Sequence, residues 1–256
     1  AGIVTGAMLK RHALEMRQYA FNTAMGLLVY YMFFFMVFVG AWASVGEQAT
    51  FGQTLSQVVV GLMVWVLALQ TFGETANRIS GEAVQGTLEQ LAMSPLGLGN
   101  VLLCRALASF FIQLVYMLIF LVLMMATTGR WLHLDLISLV PLLMLTMGSI
   151  QGIGFAIAGL TLLYKRTGAV AGVWQFVFIA LLAVPVDKLP YAPALPLAWG
   201  NHLIRRVMMD GASIFALPAG DVLLLLANAA AYMAVGYLAF GFFERQARLR
   251  GVLGHY

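Results

Sequence analysis

Residues 77–95 read NRISGEAVQGTLEQLAMSP, a polar interruption between two apolar stretches. Residues 55–72 (LSQVVVGLMVWVLALQTF) precede it and residues 107–128 (LASFFIQLVYMLIFLVLMMATT) follow. One helical crossing of a bilayer core takes about 20 mostly apolar residues. Four more stretches of that kind occupy 26–45, 136–164, 168–186 and 222–243. With 62% hydrophobic residues, 9% charged and a mean hydropathy of +0.92, the composition is that of a membrane protein. The expected fold is all-α: a polytopic membrane protein with six transmembrane helices in one domain over 1–256, with no room for a soluble domain.

The interruption itself predicts a short amphipathic helix over 81–92. Val84, Leu88 and Leu91 recur at i, i+4 and i+7 on one face, and Glu82, Gln85 and Glu89 occupy the other. An acidic polar face is repelled by anionic headgroups, whereas surface-lying helices are typically rich in Lys and Arg. The pattern therefore favours a helix that docks against another protein.

Lys and Arg concentrate in cytoplasmic loops. With six spans both termini share one side, and placing them inside puts Lys10, Arg11, Arg17, Arg78, Arg105, Lys165, Arg166, Arg245, Arg248 and Arg250 there, against Arg130, Lys188, Arg205 and Arg206 outside. Both termini are expected to be cytoplasmic. The pI near 9.4 then reflects topology. Scattered loop-end cations do not form the contiguous face that nucleic-acid binding needs.

No leader with a cleavage site is read at the start. Residues 8–22 instead predict an interfacial helix, with Leu9, Ala13, Met16 and Ala20 on one side and Lys10, Arg11, Arg17 and Gln18 around the rest. Residues 185–218 carry Pro185, Pro190, Pro193, Pro196 and Pro218, five of the seven prolines. No straight helix runs through such a run. Short helical pieces forming an outer re-entrant segment are expected, with Tyr191 and Trp199 at headgroup level. The long fourth stretch contains Pro141 and several glycines and is expected to be tilted, kinked or extended. Gly148 and Gly152, and Gly168 and Gly172, have the four-residue spacing that lets helices approach closely.

No Asp, Glu, Lys or Arg lies near the centre of any stretch, which speaks against an ion-coupled carrier. Gln57, Gln70, Gln113, Gln151, Gln175 and Asn228 are suited to hydrogen bonding between helices. Gln57 and Gln70, with Trp174, Phe176 and Phe178, are also candidates to line a pathway for an apolar or amphipathic cargo. Cys104, the single cysteine, is read as a packing residue. The four histidines are scattered, and no nucleotide-binding Gly-x-x-x-x-Gly-Lys-Ser/Thr loop occurs. No catalytic, metal or cofactor site is expected on this chain.

Gly81, Glu82, Gly86, Thr87, Leu88, Glu89, Leu91, Ser94 and Pro95, placed between a second and a third span, resemble the cytoplasmic signature of the type-2 membrane domain of ATP-binding-cassette (ABC) exporters. The expected layout resembles that family over essentially the whole chain. The resemblance implies a permease that pairs with a second protomer, a homodimer being the expectation, and with two copies of a separate cytoplasmic ATPase that carries the ATP and Mg. It implies that helix 81–92 inserts into the ATPase through Glu82, Gln85, Thr87, Leu88, Glu89 and Gln90, helped by Arg11 and Glu15 of the N-terminal helix. It implies residence in the plasma (inner) membrane of a prokaryote and export of an amphipathic or lipid-like cargo between spans two and five. An ATP-independent channel or carrier, or a membrane scaffold for a cytoplasmic complex, are the alternative readings.

Overall fold

The computed structural model describes residues 20–45, 51–84, 97–164 and 168–250, and every regular element among them is helical. The long helices are α1 (Ala20–Val45), α2 (Phe51–Val84), α3 (Leu98–Thr128), α4 (Leu136–Leu163), α5 (Gly168–Leu182) and α7 (Ala219–Leu249), with the shorter α6 (Ala198–Asp210) between the last two. Three 3₁₀ turns, Val186–Lys188, Ala192–Ala194 and Ile214–Ala216, complete the stretch around α6.

Four helical segments are long and apolar enough to cross a membrane: Leu55–Glu82, Leu98–Thr128, Leu136–Leu163 and Ala219–Leu249. Shorter apolar stretches lie in α1 (Leu28–Gly40) and α5 (Gly172–Leu182). The chain thus has the character of a transmembrane helical protein. Its exposed side chains agree: Val29, Met32 and Met36 on α1, Ile119 on α3, and Val235 and Leu238 on α7 are each more than half exposed. Such an apolar surface suits lipid or a second chain and would be an aggregation liability in water.

α2 is the central helix, contacted by α1, α3, α4, α5 and α6. Val60, Val64, Leu67 and Ala68 are fully buried on it, within a core that takes in Met124 of α3, Leu142 of α4 and Phe178 of α5. At 34 residues it is about 51 Å long, well beyond a hydrocarbon core of about 30 Å. It does not stop at the polar break at residue 77. Residues 73–84 contain no proline, Glu74, Arg78 and Glu82 pair at i, i+4 steps, and Phe72, Ala76 and Ile79 keep the helical apolar stripe. Residues 81–84 are therefore the last turn of α2, and the rest of the helix expected over 81–92 lies outside the described residues. So do residues 8–19 of the expected interfacial helix.

α5 ends at Leu182, short of the expected 186. Pro185 and the prolines after it cannot extend a helix. Its 15 residues span about 22 Å, less than a perpendicular crossing needs.

α4 and α7 pack closely along their lengths. The buried residues of α7 are Leu225, Ala229, Gly236, Phe240 and Ala247, spaced 4, 7, 4 and 7 apart, the step of a narrow helix-pairing seam. Gly148, Gly152 and Gly159 of α4 face that seam, and a Cβ added at Gly152 or Gly236 would overlap the facing backbone at Tyr232 or Gly152. The four-residue glycine pair in the fourth stretch thus serves packing within the chain. Gly172 of the second pair faces open space.

The proline-rich stretch forms the expected short helical pieces and is anchored to the bundle. Leu203, Ile204, Val207 and Met208 of α6 are fully buried in the main core. Gly200 abuts Thr146 of α4 with no room for a Cβ. Carbonyls in and just after the Ala192–Ala194 turn are met from α7. Asn228 Nδ2 donates to Pro193 O at 2.9 Å and Leu195 O at 3.4 Å, and Tyr232 Oη donates to Ala194 O at 3.2 Å. Polar groups away from water need such partners. Replacing Asn228 by Leu should cost about 1–2 kcal/mol and raise hydrogen exchange in residues 190–197 well above that of α4. Equal exchange in native and variant chains would show the bonds to be dispensable. Tyr191 is largely exposed, and Trp199 Nε1 donates to Asp221 O at 3.0 Å.

Candidate functional site

Two features stand out, one at each end of α2. The first is a polar seam between α2 and α3 that runs toward Val84. On α2, Glu74, Arg78 and Glu82 are four residues apart. On α3, Arg105, Ser109 and Gln113 repeat the spacing, and the helices run antiparallel, so Arg105 meets Glu82, Ser109 meets Glu74 and Gln113 meets Thr71. Arg105 Nη1 donates to Glu82 Oε1 at 2.5 Å, with both side chains about nine-tenths buried. Ser109 Oγ donates to Glu74 Oε1 at 3.3 Å, and Thr71 Oγ1 to Gln113 Oε1 at 3.2 Å. Arg78 lies 3.5 Å from Glu74 and 3.9 Å from Glu82. Its Nε and Nη2 make no hydrogen bond, so this part of the seam is held by charge alone. Gln151 of α4 extends the chain by donating to Thr75 Oγ1 at 2.5 Å.

The seam ties three helices from mid-bundle to the end of α2, where residues 85–96 begin. Two facing buried charges are costly to separate. The seam therefore holds the end of α2 to the start of α3.

Glu82 is the one expected docking residue among the described residues. It is 8% exposed and engaged with Arg105 and Arg78, so it anchors the base of the segment. Arg11, Glu15, Gln85, Thr87, Leu88, Glu89 and Gln90 lie outside the described residues. The seam crosses the limit between the apolar stretch 55–72 and the polar residues after it, so hydropathy alone does not show it. The signal that finds it is the matched four-residue spacing of Glu74, Arg78 and Glu82 with Arg105, Ser109 and Gln113.

The second feature is a cavity of about 350 Å³ between α1, α2, α5 and α6, lined among others by Phe33, Gln57, Gly61, Trp65, Leu182 and Arg205. Gln57, Gly61 and Trp65 are one turn apart on α2 and give the wall a length of about 12 Å. The Arg205 guanidinium rests against Gly61, where a Cβ would stand 3.5 Å from Nη2. Burial pushes the Arg205 pKa below its ordinary value. Trp65 Nε1 donates to Gln175 O at 3.3 Å, closing α2 onto α5.

The expected pathway residues divide. Gln57 lines this cavity. Trp174 and Phe178 pack on Phe72 at 6.1 and 5.5 Å between ring centroids, and Phe178 is fully buried. Phe176 points the other way and is 65% exposed. Gln70 is half-buried and lines no described cavity.

No protein-family model matches the chain, and no curated protein is significantly similar to it. The functional reading therefore rests on the residues and their geometry.

Proposed function

We propose that this chain is the membrane-spanning permease subunit of an ABC exporter, driven by a separate ATPase that docks on the segment joining α2 and α3. The observation that carries the reading is the buried seam of Glu82, Arg105, Arg78, Glu74 and Ser109, which ends where the Gly-Thr-Leu-Glu signature of residues 86–89 begins. A permease of this kind must convert a push on one connecting segment into movement of whole helices. Charges locked across α2 and α3 meet that need, since rigid elements with two discrete arrangements carry coupling. The six-span layout, with α1 and α5 as the shorter crossings and termini on the cytoplasmic side, belongs to the same reading. So do the pairing with a second protomer and residence in a prokaryotic plasma membrane.

ATP would bias a two-state equilibrium through the docked partner. Closure of the ATPase pair pushes residues 85–96, α2 and α3 tilt together, and the face of α2 toward α5 opens. The apolar walls and the absence of carboxylates among the described residues of the cavity beside α2 and α5 fit an amphipathic cargo better than a metal ion or a small sugar.

Co-expression with a candidate ATPase tests the reading. Native chain should co-purify with it, and Leu88→Asp or Glu89→Arg should abolish co-purification while leaving the membrane domain folded. A membrane scaffold would lose assembly in the same variants but show no cargo movement in the native complex, and an ATP-independent carrier would move cargo without any ATPase.

A further inference from the structure

Among the described residues no carboxylate forms an ion pair with Arg205. Its Nε is buried and has no hydrogen-bond partner. Asp221, at the start of α7, is engaged at 3.6 Å by the neighbouring Arg206, and Asp210 closes α6 five residues beyond Arg205. Among the described residues no acidic side chain lines the cavity that Arg205 enters. Asn201 Oδ1, one turn back on α6, also lacks a partner, but Asn201 is 3% exposed and is not part of the cavity wall.

A partly buried charge with no opposite charge beside it is a ready partner for a group of the opposite sign. A guanidinium is suited to phosphate, sulfate or carboxylate because its N–H groups form a planar fork. Apart from Gln57, the other lining side chains are apolar. The polar groups gather at the Gln57 and Gly61 end, and the wall beyond them runs past Leu62 to Trp65 and Phe33. A free inorganic anion would leave that wall unused. A neutral lipid would leave Arg205 unmet.

We propose that this cavity binds an anionic amphiphile, its negative headgroup on the Arg205 guanidinium and its apolar body along Leu62, Trp65 and Phe33. Taking the bound molecule as cargo rests on the permease reading above. The binding itself does not, so the two can fail separately.

The test uses the full chain purified in a neutral maltoside and titrated, without any ATPase, with dodecyl phosphate, dodecyl phosphocholine, a neutral dodecyl ethoxylate and inorganic phosphate. Dodecyl phosphate should bind at least tenfold more tightly than each of the others. Arg205→Gln should remove that preference. Val58→Trp, which fills the cavity from α2 and leaves Arg205 in place, should weaken dodecyl phosphate binding at least tenfold. Equal binding of the three dodecyl compounds by the native chain would overturn the proposal. So would inorganic phosphate binding as tightly as dodecyl phosphate, or a folded Val58→Trp chain that binds like the native one. If Arg205→Gln does not fold, the headgroup ranking of the native chain and the Val58→Trp result decide. Headgroup selection by a chain that no ATPase binds would uphold this site and sink the exporter reading.

Discussion

Replacing Glu82 by Ala is expected to destabilise the bundle by about 3–5 kcal/mol, the usual cost of stranding one member of a buried pair. The variant takes the Glu82 carboxylate from Arg105, whose side chain is only 11% exposed, and it removes one of the two carboxylates beside Arg78. Arg78 keeps Glu74 at 3.5 Å, so the damage is centred on Arg105. The double variant Glu82→Met/Arg105→Met should recover at least half of the loss, because removing both charges removes the penalty of an unpaired one. Reversible unfolding in mixed micelles reads both numbers. If Glu82→Ala costs less than about 1 kcal/mol, as an exposed ion pair would, the seam does not hold α2 to α3.

The second large effect is expected at the α4–α7 seam. Gly236→Ala places a methyl group against the Gly152 backbone, and Gly152→Ala places one against the Tyr232 carbonyl. Overpacking in a core typically costs 1–3 kcal/mol. Here the obstacle is main chain on both sides and cannot rotate away, so about 3 kcal/mol or more is expected. Gly241→Ala, on the same helix but facing open space, is the matched control and should be neutral or stabilise by up to about 1 kcal/mol, the helix preference for Ala over Gly. Equal stability of Gly236→Ala and Gly241→Ala would mean that the two helices are not in backbone contact. Close approach is what small residues provide between helices in a bilayer, where lipid and side chains are equally apolar.

These two sites show which parts of the fold the residues announce and which they do not. Hydropathy locates α3, α4 and α7 to within a few residues at most ends, because each is a long run with clear polar limits. Gly148 and Gly152 are legible as a close-packing face, but not their partners: Ala229 and Gly236 on α7 carry no four-residue signature. Hydropathy ends the second stretch at residue 72, because charged residues in a membrane chain usually mark the interface, whereas the helix runs on to Val84. Glu74, Arg78 and Glu82 instead stay helical by pairing with one another and with α3. Pro185 stops α5 at Leu182 earlier than its apolar composition suggests, since a ring without an N–H outweighs hydrophobicity. Asn228 was legible as a residue that bonds between elements. That its partners are the carbonyls of Pro193 and Leu195 follows only from the fold of the proline-rich stretch. Arg205 gave no sequence signal, because its meaning lies in what does not surround it.

The most direct test of the permease account is ATP hydrolysis by a complex of this chain with its ATPase partner, reconstituted in lipid. The account predicts that the native chain raises the hydrolysis rate severalfold over the ATPase alone, and that Glu89→Arg returns it to the level of the ATPase alone while α-helical content is unchanged. A folded native chain that neither binds nor stimulates any ATPase would contradict it.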